Sequence, residues 1–380
     1  MNPRKKFFLF HQSQHFCSVP WNHFEIFSDG NIRTCSKGTA FGNINNQSID
    51  DILQSTDIKS IKQDLLQDKL NKNCVGCYNL TTNAEHFDLR NHYNPMFKQF
   101  DINYEDISAF ELHGIDLHWD NTCNFRCVYC NPKQSSLIAQ EQGVSNTRTD
   151  QANIDRVIDL IVKNQYALKE IYLSGGEPLL IKHNTKLLSR ISNIDLPIRI
   201  NSNLSLISNN NPVFAELRRF KNVLWTVSAD NQGSRFEYIR NGGSWNKFLE
   251  NLNVVRQSGH RVRLNMVWFV ANVIDMFDTA KYFIEQNGIT DITVNQLQGH
   301  PYLQARHAPE SVKQQALVQL DRLLTSSLIQ EKSNTWYNIS RCDRELKNTN
   351  GDQTGYIKYF DQLDQLRGTN WREIFPELLI

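Results

Sequence analysis

The chain has 380 residues, with 41 lysine and arginine side chains against 40 aspartate and glutamate, for a formal charge of +1. This length is enough to bury a substantial core and to form one large domain with a smaller one. The near-neutral charge excludes a strong field that would attract nucleic acid or an acidic membrane face. No apolar segment approaches the ~20 residues that cross a bilayer. We therefore expect a cytoplasmic protein that binds neither nucleic acid nor membrane.

Residues 1–100 predict a small α+β module. Two short strands joined by the turn Ser28-Asp29-Gly30 are typical of a β-hairpin. In chain order the expected elements are the strands His23–Phe27 and Asn31–Thr34, helices near 48–55 and 58–68, and the pair Cys74-x-x-Cys77.

Residues 105–300 alternate between β-like runs and amphipathic helical stretches. Such alternation predicts parallel strands with right-handed crossovers. No G-x-G-x-x-G turn follows the first strand, which disfavours a dinucleotide-binding fold. The expected strands are Phe110–Trp119, Leu168–Leu173, Ile198–Ser202, Val223–Ser228, Val262–Trp268 and Ile292–Leu297. The expected helices are Ile154–Val162, Leu180–Ile191, Pro212–Phe220, Trp245–Arg256 and Phe277–Gln286.

Residues 301–380 predict a helical C-terminal extension, with one helix near Pro309–Leu328 and an aromatic-rich tail. The fold class we expect is therefore α/β: a partial (β/α)6 TIM-like barrel with a small N-terminal α+β module and a helical C-terminal tail.

The eight cysteines are clustered, which in a cytoplasmic chain favours metal ligation over disulfides. Cys123, Cys127 and Cys130 have C-x3-C-x2-C spacing. Three thiolates on one loop can ligate three irons of a cubane and leave the fourth iron open for chemistry. Zinc is the alternative, but it would need a fourth ligand.

This spacing, together with Ser174-Gly175-Gly176-Glu177-Pro178 after the second predicted strand, resembles the radical S-adenosylmethionine (radical SAM) superfamily. The resemblance implies a [4Fe–4S] cluster on the three cysteines and S-adenosylmethionine as cofactor. It also implies that Gly175, Gly176 and Glu177 bind the amino group of the methionine half. Adjacent glycines permit close backbone approach, and a carboxylate accepts strongly from an ammonium.

The same resemblance assigns five further cofactor contacts. It places the backbone of Tyr129 against adenine, Ser228 and Asp230 near the ribose, Arg240 against the carboxylate, and Asn203 among the polar groups around the cofactor. Ordinary loop hydrogen bonds or a surface ion pair are the alternatives for Asn203, Ser228 and Arg240.

The cysteine loop, the GGEP segment and the segments 201–203 and 228–230 each follow a different predicted strand. In a parallel barrel the active site lies at the carboxyl ends of the strands. The placement of these four segments therefore agrees with the predicted fold.

Cys17, Cys35, Cys74 and Cys77 supply four more thiolates, a full set for a second [4Fe–4S] cluster or for zinc. Together with the predicted hairpin and Gly42-Asn43-Ile44, they resemble the auxiliary-cluster module called SPASM, or twitch in its smaller form, here placed before the core. Unligated thiols remain an alternative. A fully ligated cluster would carry electrons rather than bind substrate.

The resemblance implies reductive cleavage of S-adenosylmethionine to a 5′-deoxyadenosyl radical, which abstracts hydrogen from an unactivated C–H bond. It implies an electron donor such as flavodoxin or ferredoxin. We expect the substrate to be a peptide or protein residue that is oxidised, crosslinked or epimerised, or else a small polyol, sugar or aminocyclitol. Cys342 is a candidate hydrogen donor or an ordinary cysteine. A non-catalytic iron–sulfur electron carrier or sensor is the alternative from another class.

Overall fold

The computed structural model describes residues 1–74, 76–77, 89–145, 149–297, 299–348 and 351–379. The chain forms two compact units, each assembled from three segments. Unit 1 comprises Met1–Thr122, Gly143–Ile200 and Pro212–Val223, and unit 2 comprises Cys123–Gln142, Asn201–Asn211 and Leu224–Ile380.

The strands of unit 1 lie in the order β3-β2-β1-β4-β5-β6. The pairs β1/β2 and β2/β3 are antiparallel, whereas β1/β4, β4/β5 and β5/β6 are parallel. Their bounds are β1 His23–Phe27, β2 Asn31–Arg33, β3 Ala40–Asn43, β4 Gly114–His118, β5 Glu170–Leu173 and β6 Ile198–Ser202.

The predicted N-terminal hairpin is confirmed, but it does not form a separate sheet. Its first strand, β1, pairs in parallel with β4 along its whole length, from His23 opposite Gly114 to Phe27 opposite His118. The hairpin therefore extends the parallel strands of unit 1, and ionisable residues of β1 lie beside those of β4.

The helices of unit 1 form where the sequence supplies caps and apolar stripes. Ser55 accepts a hydrogen bond from the backbone N–H of Ile58 and so caps one helix. The helix Gln151–Asn164 buries the predicted stripe of Ile154, Val157, Ile158 and Ile161. The helices are Pro3–His11, Val19–Asn22, Ile49–Leu53, Thr56–Leu66, Leu89–Phe97, Gln151–Asn164, Lys182–Arg190 and Pro212–Leu217.

Unit 2 contains the strands β8 Arg261–Trp268 and β9 Ile292–Gln296 and, from Leu224 onward, β7 Val223–Ser228. These strands pair in parallel in the order β7-β8-β9. Its helices are Ser136–Glu141, Gly233–Ile239, Trp245–Gln257, Met276–Asn287, Glu310–Leu324, Asn334–Ser340, Asp343–Leu346, Thr354–Arg367 and Trp371–Ile374.

The expected α/β class, the parallel strands and the helical C-terminal region are confirmed. All six predicted strands of the core are present, although the first is shorter than expected, at Gly114–His118. Within the described ranges, no helix combines the length and apolar character that a membrane crossing requires.

The C-terminal region is anchored in unit 2 by Trp371, whose side chain is fully buried. Its ring lies 5.7 Å from that of Phe360, and its Nε1 donates to Asp361 Oδ1 at 2.7 Å. We predict that Trp371→Ala lowers the free energy of unfolding by about 3–5 kcal/mol, because truncating a buried tryptophan leaves a cavity. Urea unfolding of the reconstituted protein measures this effect.

The matched control is Leu366→Ala, since Leu366 lies on the helix Thr354–Arg367 with 59% of its surface exposed. This change is expected to alter the free energy by about 0.5 kcal/mol or less. Equal destabilisation by the two variants would contradict the anchoring role of Trp371.

Candidate functional site

The predicted cysteine loop lies in unit 2, where backbone hydrogen bonds hold it in place. The N–H groups of Arg126 and Val128 donate to the carbonyls of Asn241 and Ile239, each at 2.8 Å. The Tyr359 hydroxyl donates to the Val128 carbonyl at 2.7 Å. These bonds fix the backbone between the first and third cysteines.

The three thiols of this loop lie close to one another. Burial raises the pKa of Cys130, and the neighbouring Cys127 and Cys123 raise it further. The Cys130 N–H donates to the Cys127 carbonyl at 3.0 Å, and the Phe125 N–H approaches Cys123 Sγ at 3.5 Å. Thiolate ligation of a metal centre would offset the cost of ionising these buried groups. The three residues therefore fit a cluster with three protein ligands.

Tyr129, Asp230 and Arg240 form a buried polar triad in unit 2. The Tyr129 hydroxyl donates to Asp230 Oδ2 at 2.7 Å, and Arg240 Nη2 lies 2.7 Å from that hydroxyl and 2.9 Å from the same carboxylate oxygen. Asp230 Oδ1 accepts from the backbone N–H of Val267 at 2.7 Å. Tyr129, Asp230 and Arg240, each of which was predicted to contact the cofactor, are thus joined to one another by hydrogen bonds and an ion pair.

The charge of Arg240 is balanced within this triad. Burial lowers the pKa of Arg240, but the adjacent Asp230 outweighs it, so the pKa is raised overall and the guanidinium stays charged. Its buried Nε has no hydrogen-bond partner among the described residues. One donor therefore remains for a ligand, and its assignment to the cofactor carboxylate stays a prediction.

Asn203 belongs to a second polar network in unit 2. Its Nδ2 donates to Asn124 Oδ1 at 3.0 Å, and its Oδ1 accepts from the Ser205 hydroxyl at 2.6 Å. The next residue, Leu204, adopts a φ of +59°, which is unusual for a bulky side chain. Ser228 Oγ lies 3.4 Å from Asn201 Oδ1. The network ties Asn203 to the residue that follows Cys123.

The GGEP segment lies in unit 1 and pairs with the residues that lead into the cysteine loop. The N–H of Gly176 donates to the Asp120 carbonyl at 3.1 Å, and the N–H of Glu177 donates to the Thr122 carbonyl at 2.8 Å. A Cβ on Gly176 would lie 2.2 Å from the Thr122 oxygen. Only glycine allows this approach.

Glu177 is buried, and its Oε1 accepts from the backbone N–H of Leu179 at 3.1 Å. The carboxylate therefore caps the short helix Pro178–Leu180. This cap fixes the position of the group that was predicted to accept from the cofactor ammonium, and that role stays a prediction.

Cys17, Cys35, Cys74 and Cys77 converge in unit 1, where all four line one cavity. Burial and then Cys35 raise the pKa of Cys17 well above its ordinary value, with further contributions from Cys74 and Cys77. Burial raises the pKa of Cys35 to about 12 and that of Cys74 to about 11.

Backbone N–H groups of Val19 and Lys37 oppose the rise at Cys17 and Cys35, respectively, because they stabilise the thiolates. Apolar side chains such as Val19 and Leu65 complete the lining of the cavity. Four converging thiols in an apolar cavity fit a fully ligated cluster.

Cys342 is fully buried in unit 2, immediately before the helix Asp343–Leu346. Burial raises the pKa of its thiol well above the ordinary value, so this cysteine is protonated at neutral pH. A protonated thiol is the form that can donate a hydrogen atom, and the donor role stays a prediction.

The sequence analysis missed a buried ionisable cluster in unit 1, formed by Glu25, Asp116 and His118. Burial and the adjacent Asp116 carboxylate raise the pKa of Glu25 well above its ordinary value. Burial lowers the pKa of His118 to about 4. The available signal was the alternation of polar with apolar residues in β1 and β4, which is typical of a strand with one face turned to a polar site.

Two protein-family models match the chain. The Radical SAM superfamily model matches residues 120–282, and a model of an iron–sulfur cluster-binding domain, SPASM, matches residues 17–78. The first range contains the cysteine loop and the GGEP segment, and the second contains all four N-terminal cysteines.

The curated relatives include a protein named GTP 3′,8-cyclase from Synechocystis sp., which is 29% identical over 164 residues, or 42% of this chain and 47% of that protein. The protein of that name from Listeria welshimeri is 30% identical over 152 residues, covering 38% and 42%, respectively. The matched segment thus spans less than half the length of these relatives.

Among solved structures, native anSMEcpe with bound AdoMet has a TM-score of 0.43 at 14% identity, covering 58% of this chain and 64% of that one. SuiB of Streptococcus suis has a TM-score of 0.42 at 14% identity, covering 74% and 60%, respectively. Likeness at this level carries no argument about ligands or substrates.

The backbone of Gly176 lies so close to the Thr122 carbonyl that a larger residue would push the two segments apart. We expect Gly176→Ala to weaken binding of S-adenosylmethionine by about tenfold or more, because separating the segments leaves buried backbone groups unpaired at about 1–3 kcal/mol each. Equilibrium dialysis of the reconstituted protein measures the affinity. Gly299→Ala is the control, since a Cβ there would meet no atom of the described residues within 4 Å. Wild-type affinity in Gly176→Ala would refute the requirement for glycine.

Proposed function

Because this chain is a radical SAM protein with a SPASM-type iron–sulfur module on the N-terminal side of its core, we propose that it is an enzyme that starts its reaction by reductive cleavage of S-adenosylmethionine. The observation that carries this proposal is the convergence of the Cys123, Cys127 and Cys130 thiols on a rigid loop. Three thiolates leave one iron of a cubane without a protein ligand.

The cofactors are a [4Fe–4S] cluster that binds S-adenosylmethionine, S-adenosylmethionine itself and an auxiliary iron–sulfur cluster. When bound to Cys123, Cys127 and Cys130 and reduced, the first cluster would supply the electron that cleaves S-adenosylmethionine to methionine and a 5′-deoxyadenosyl radical, which would abstract a hydrogen atom from a C–H bond. The chain's own residues position the cofactor and exclude water.

We assign the binding of the cofactor's methionine half to the GGEP segment and to Arg240. The backbone of Gly175 and Gly176 and the Glu177 carboxylate bind the cofactor ammonium. Arg240 binds its carboxylate through the remaining Nε–H donor, while Asp230 and Tyr129 hold the guanidinium in place.

Asn203 and Ser228 complete the polar surroundings of the cofactor. The Asn124–Asn203–Ser205 network supports this role, because it fixes the amide next to the cysteine loop.

We assign residues 1–100 to the auxiliary-cluster module, 105–300 to the core and 301–380 to the C-terminal extension. Cys17, Cys35, Cys74 and Cys77 would ligate every iron of the auxiliary [4Fe–4S] cluster, which suits it to electron transfer. The convergence of the four thiols in one apolar cavity supports this assignment. A flavodoxin or ferredoxin would supply the electrons.

For the substrate, we propose a residue of a peptide or protein that is oxidised, crosslinked or epimerised, with Cys342 as hydrogen donor in an epimerisation. The second candidate is a small molecule such as a polyol, sugar or aminocyclitol. It is favoured by the matched relatives, whose name, GTP 3′,8-cyclase, gives a small molecule as substrate.

Anaerobic reconstitution followed by an assay for 5′-deoxyadenosine tests this function. We expect product that depends on reductant in the wild type and none in Cys127→Ala, because the loss of a ligand removes the cluster that cleaves the cofactor. Intact clusters without any 5′-deoxyadenosine would instead identify an iron–sulfur carrier or sensor.

Cys74→Ala is the matched variant for the auxiliary site. It is expected to retain cleavage of S-adenosylmethionine and to contain about four irons per chain, against about eight in the wild type, taking each cluster as a cubane. Iron and sulfide analysis measures the difference. An unchanged iron content in Cys74→Ala would contradict the auxiliary assignment.

A further inference from the structure

The strands of unit 1 place ionisable side chains in one lateral row. Glu25 of β1 lies opposite Asp116 of β4, Asp116 lies opposite Tyr172 of β5, and Tyr172 lies opposite Arg199 of β6. Because residues i and i+2 share one face of a strand, His118 lies on the same face as Asp116. Parallel registry alone thus brings two carboxylates and an imidazole together.

The side chains of Glu25, Asp116 and His118 are close enough together to contact the same bound ion. One oxygen of Glu25, one oxygen of Asp116 and one ring nitrogen of His118 all lie within 4.8 Å of one another. Glu25 is 2% exposed and Asp116 is 5% exposed, whereas His118 is partly exposed. The two carboxylates are therefore shielded from solvent, whereas solvent reaches the histidine.

Asp116 is already oriented by a second histidine. Its Oδ1 lies 3.1 Å from His23 Nε2, and His23 Nδ1 lies 2.9 Å from the Thr34 carbonyl. Since a carbonyl only accepts, His23 Nδ1 is the donor to Thr34, and the contact of Nε2 with the Asp116 carboxylate is a hydrogen bond when Nε2 also carries a proton. This carboxylate–histidine–carbonyl chain has the form of the outer hydrogen bonds that orient metal ligands.

The arginines of the row are bound elsewhere. Arg199 Nη2 lies 2.9 Å from Glu170 Oε1, against 4.0 Å from Asp116 Oδ1, and its guanidinium stacks 3.9 Å from the Tyr172 ring. Arg33 lies opposite Glu25 in the hairpin but stacks over the Phe27 ring at 4.3 Å. Neither guanidinium makes a hydrogen bond or close ion pair with Glu25 within the described part of the chain.

Glu25 Oε2 is consequently a buried carboxylate oxygen without a hydrogen-bond partner among the described residues. A buried carboxylate oxygen without a hydrogen bond is costly. Arg33 and Arg199 offset only part of this cost, because burial and the neighbouring Asp116, which also hydrogen-bonds to the Glu25 carboxyl, still raise the pKa of Glu25. A cation that binds Glu25 and Asp116 together would offset this cost for both carboxylates at once.

His118 is held in a position suited to ligation. Its ring stacks on Phe27 at 5.1 Å and meets the Tyr172 ring edge-on at 6.0 Å. The Ser174 hydroxyl lies 2.7 Å from Nδ1 and 3.3 Å from Nε2, so the shorter contact assigns the hydrogen bond to Nδ1. In the tautomer in which Nδ1 donates to Ser174, the Nε2 lone pair is available for a metal.

We propose that Glu25, Asp116 and His118 bind one divalent first-row transition metal ion. Two carboxylates and one imidazole are hard or intermediate ligands, a set that suits Mn²⁺, Fe²⁺ or Zn²⁺ rather than the soft thiolate environment of a cluster. Glu25 and Asp116 would each contribute one negative charge to the ion. Three protein ligands leave coordination positions for water or for an oxygen of a second ligand, as in open metal sites.

An electron paramagnetic resonance titration of the reconstituted, oxidised protein with Mn²⁺ tests the proposal, because the signal of free aqueous Mn²⁺ falls as the ion binds. We expect one Mn²⁺ per chain in addition to the cluster iron. Glu25→Gln is expected to weaken binding by more than 100-fold, and His23→Ala by about 10–100-fold, the usual effect of removing an outer hydrogen bond.

Asp159→Asn is the matched control, since Asp159 is an exposed carboxylate of unit 1 that pairs with Arg190 and lies outside the row. It is expected to bind Mn²⁺ as the wild type does. His118→Gln is a second ligand variant, at the partly exposed member of the group, should Glu25→Gln fail to fold. Unchanged cluster iron in each variant shows that unit 1 has folded.

Two results would overturn the proposal. One is a wild-type protein that takes up no Mn²⁺ and carries no Zn²⁺ by elemental analysis. The other is binding by Glu25→Gln and His118→Gln as tight as that of the wild type, which would place the ion elsewhere.

Discussion

The structure depends on the contact between the GGEP segment and the residues that precede the cysteine loop. The N–H groups of Gly176 and Glu177 donate to the carbonyls of Asp120 and Thr122, and a Cβ at Gly175 or Gly176 would clash with those same carbonyls. Gly175 also has a φ of +116°, which disfavours any other residue. This backbone pairing fixes the residues that lead directly into Cys123 and sets the position of the Glu177 carboxylate.

Burial of thiols is the second organising constraint. The four N-terminal cysteines line one apolar cavity in unit 1. The three cysteines of the loop lie on a backbone segment of unit 2 that hydrogen bonds hold in place. Burial raises the pKa of Cys17 in the first set and of Cys130 in the second, and a bound cationic centre would stabilise their thiolates. The two sets differ in number: four thiolates can ligate every iron of a cubane, whereas three leave one iron open.

Much of this arrangement was predictable from local sequence. Each core strand carries a run of apolar residues and each helix an apolar stripe, so the α/β class and the parallel strands followed from periodicity. The three-cysteine spacing and the adjacent glycines predicted the cofactor class because they are short-range signals. The shortened first strand, Gly114–His118, reflects the limited precision of element ends.

The parts that sequence did not predict all depend on long-range pairing. Nothing local in His23–Phe27 indicates that it lies beside Gly114–His118, about 90 residues away, so the cluster of Glu25, Asp116 and His118 was missed. In the same way, the contacts that join Tyr129, Asp230 and Arg240 to one another were not predicted from the sequence, and their contacts with the cofactor stay a prediction. Side-chain partners of this kind are set by tertiary packing rather than by spacing.

We expect Cys17, Cys35, Cys74 and Cys77 to hold one cluster and Cys123, Cys127 and Cys130 to hold another, with only the second open to S-adenosylmethionine. The decisive measurement is electron paramagnetic resonance of the dithionite-reduced protein, recorded with and without S-adenosylmethionine. Two cluster signals are expected, of which one shifts on adding the cofactor. The shifting signal should be absent from Cys127→Ala and retained in Cys74→Ala. A spectrum that does not respond to the cofactor, or a response that survives in Cys127→Ala, would rule out this assignment.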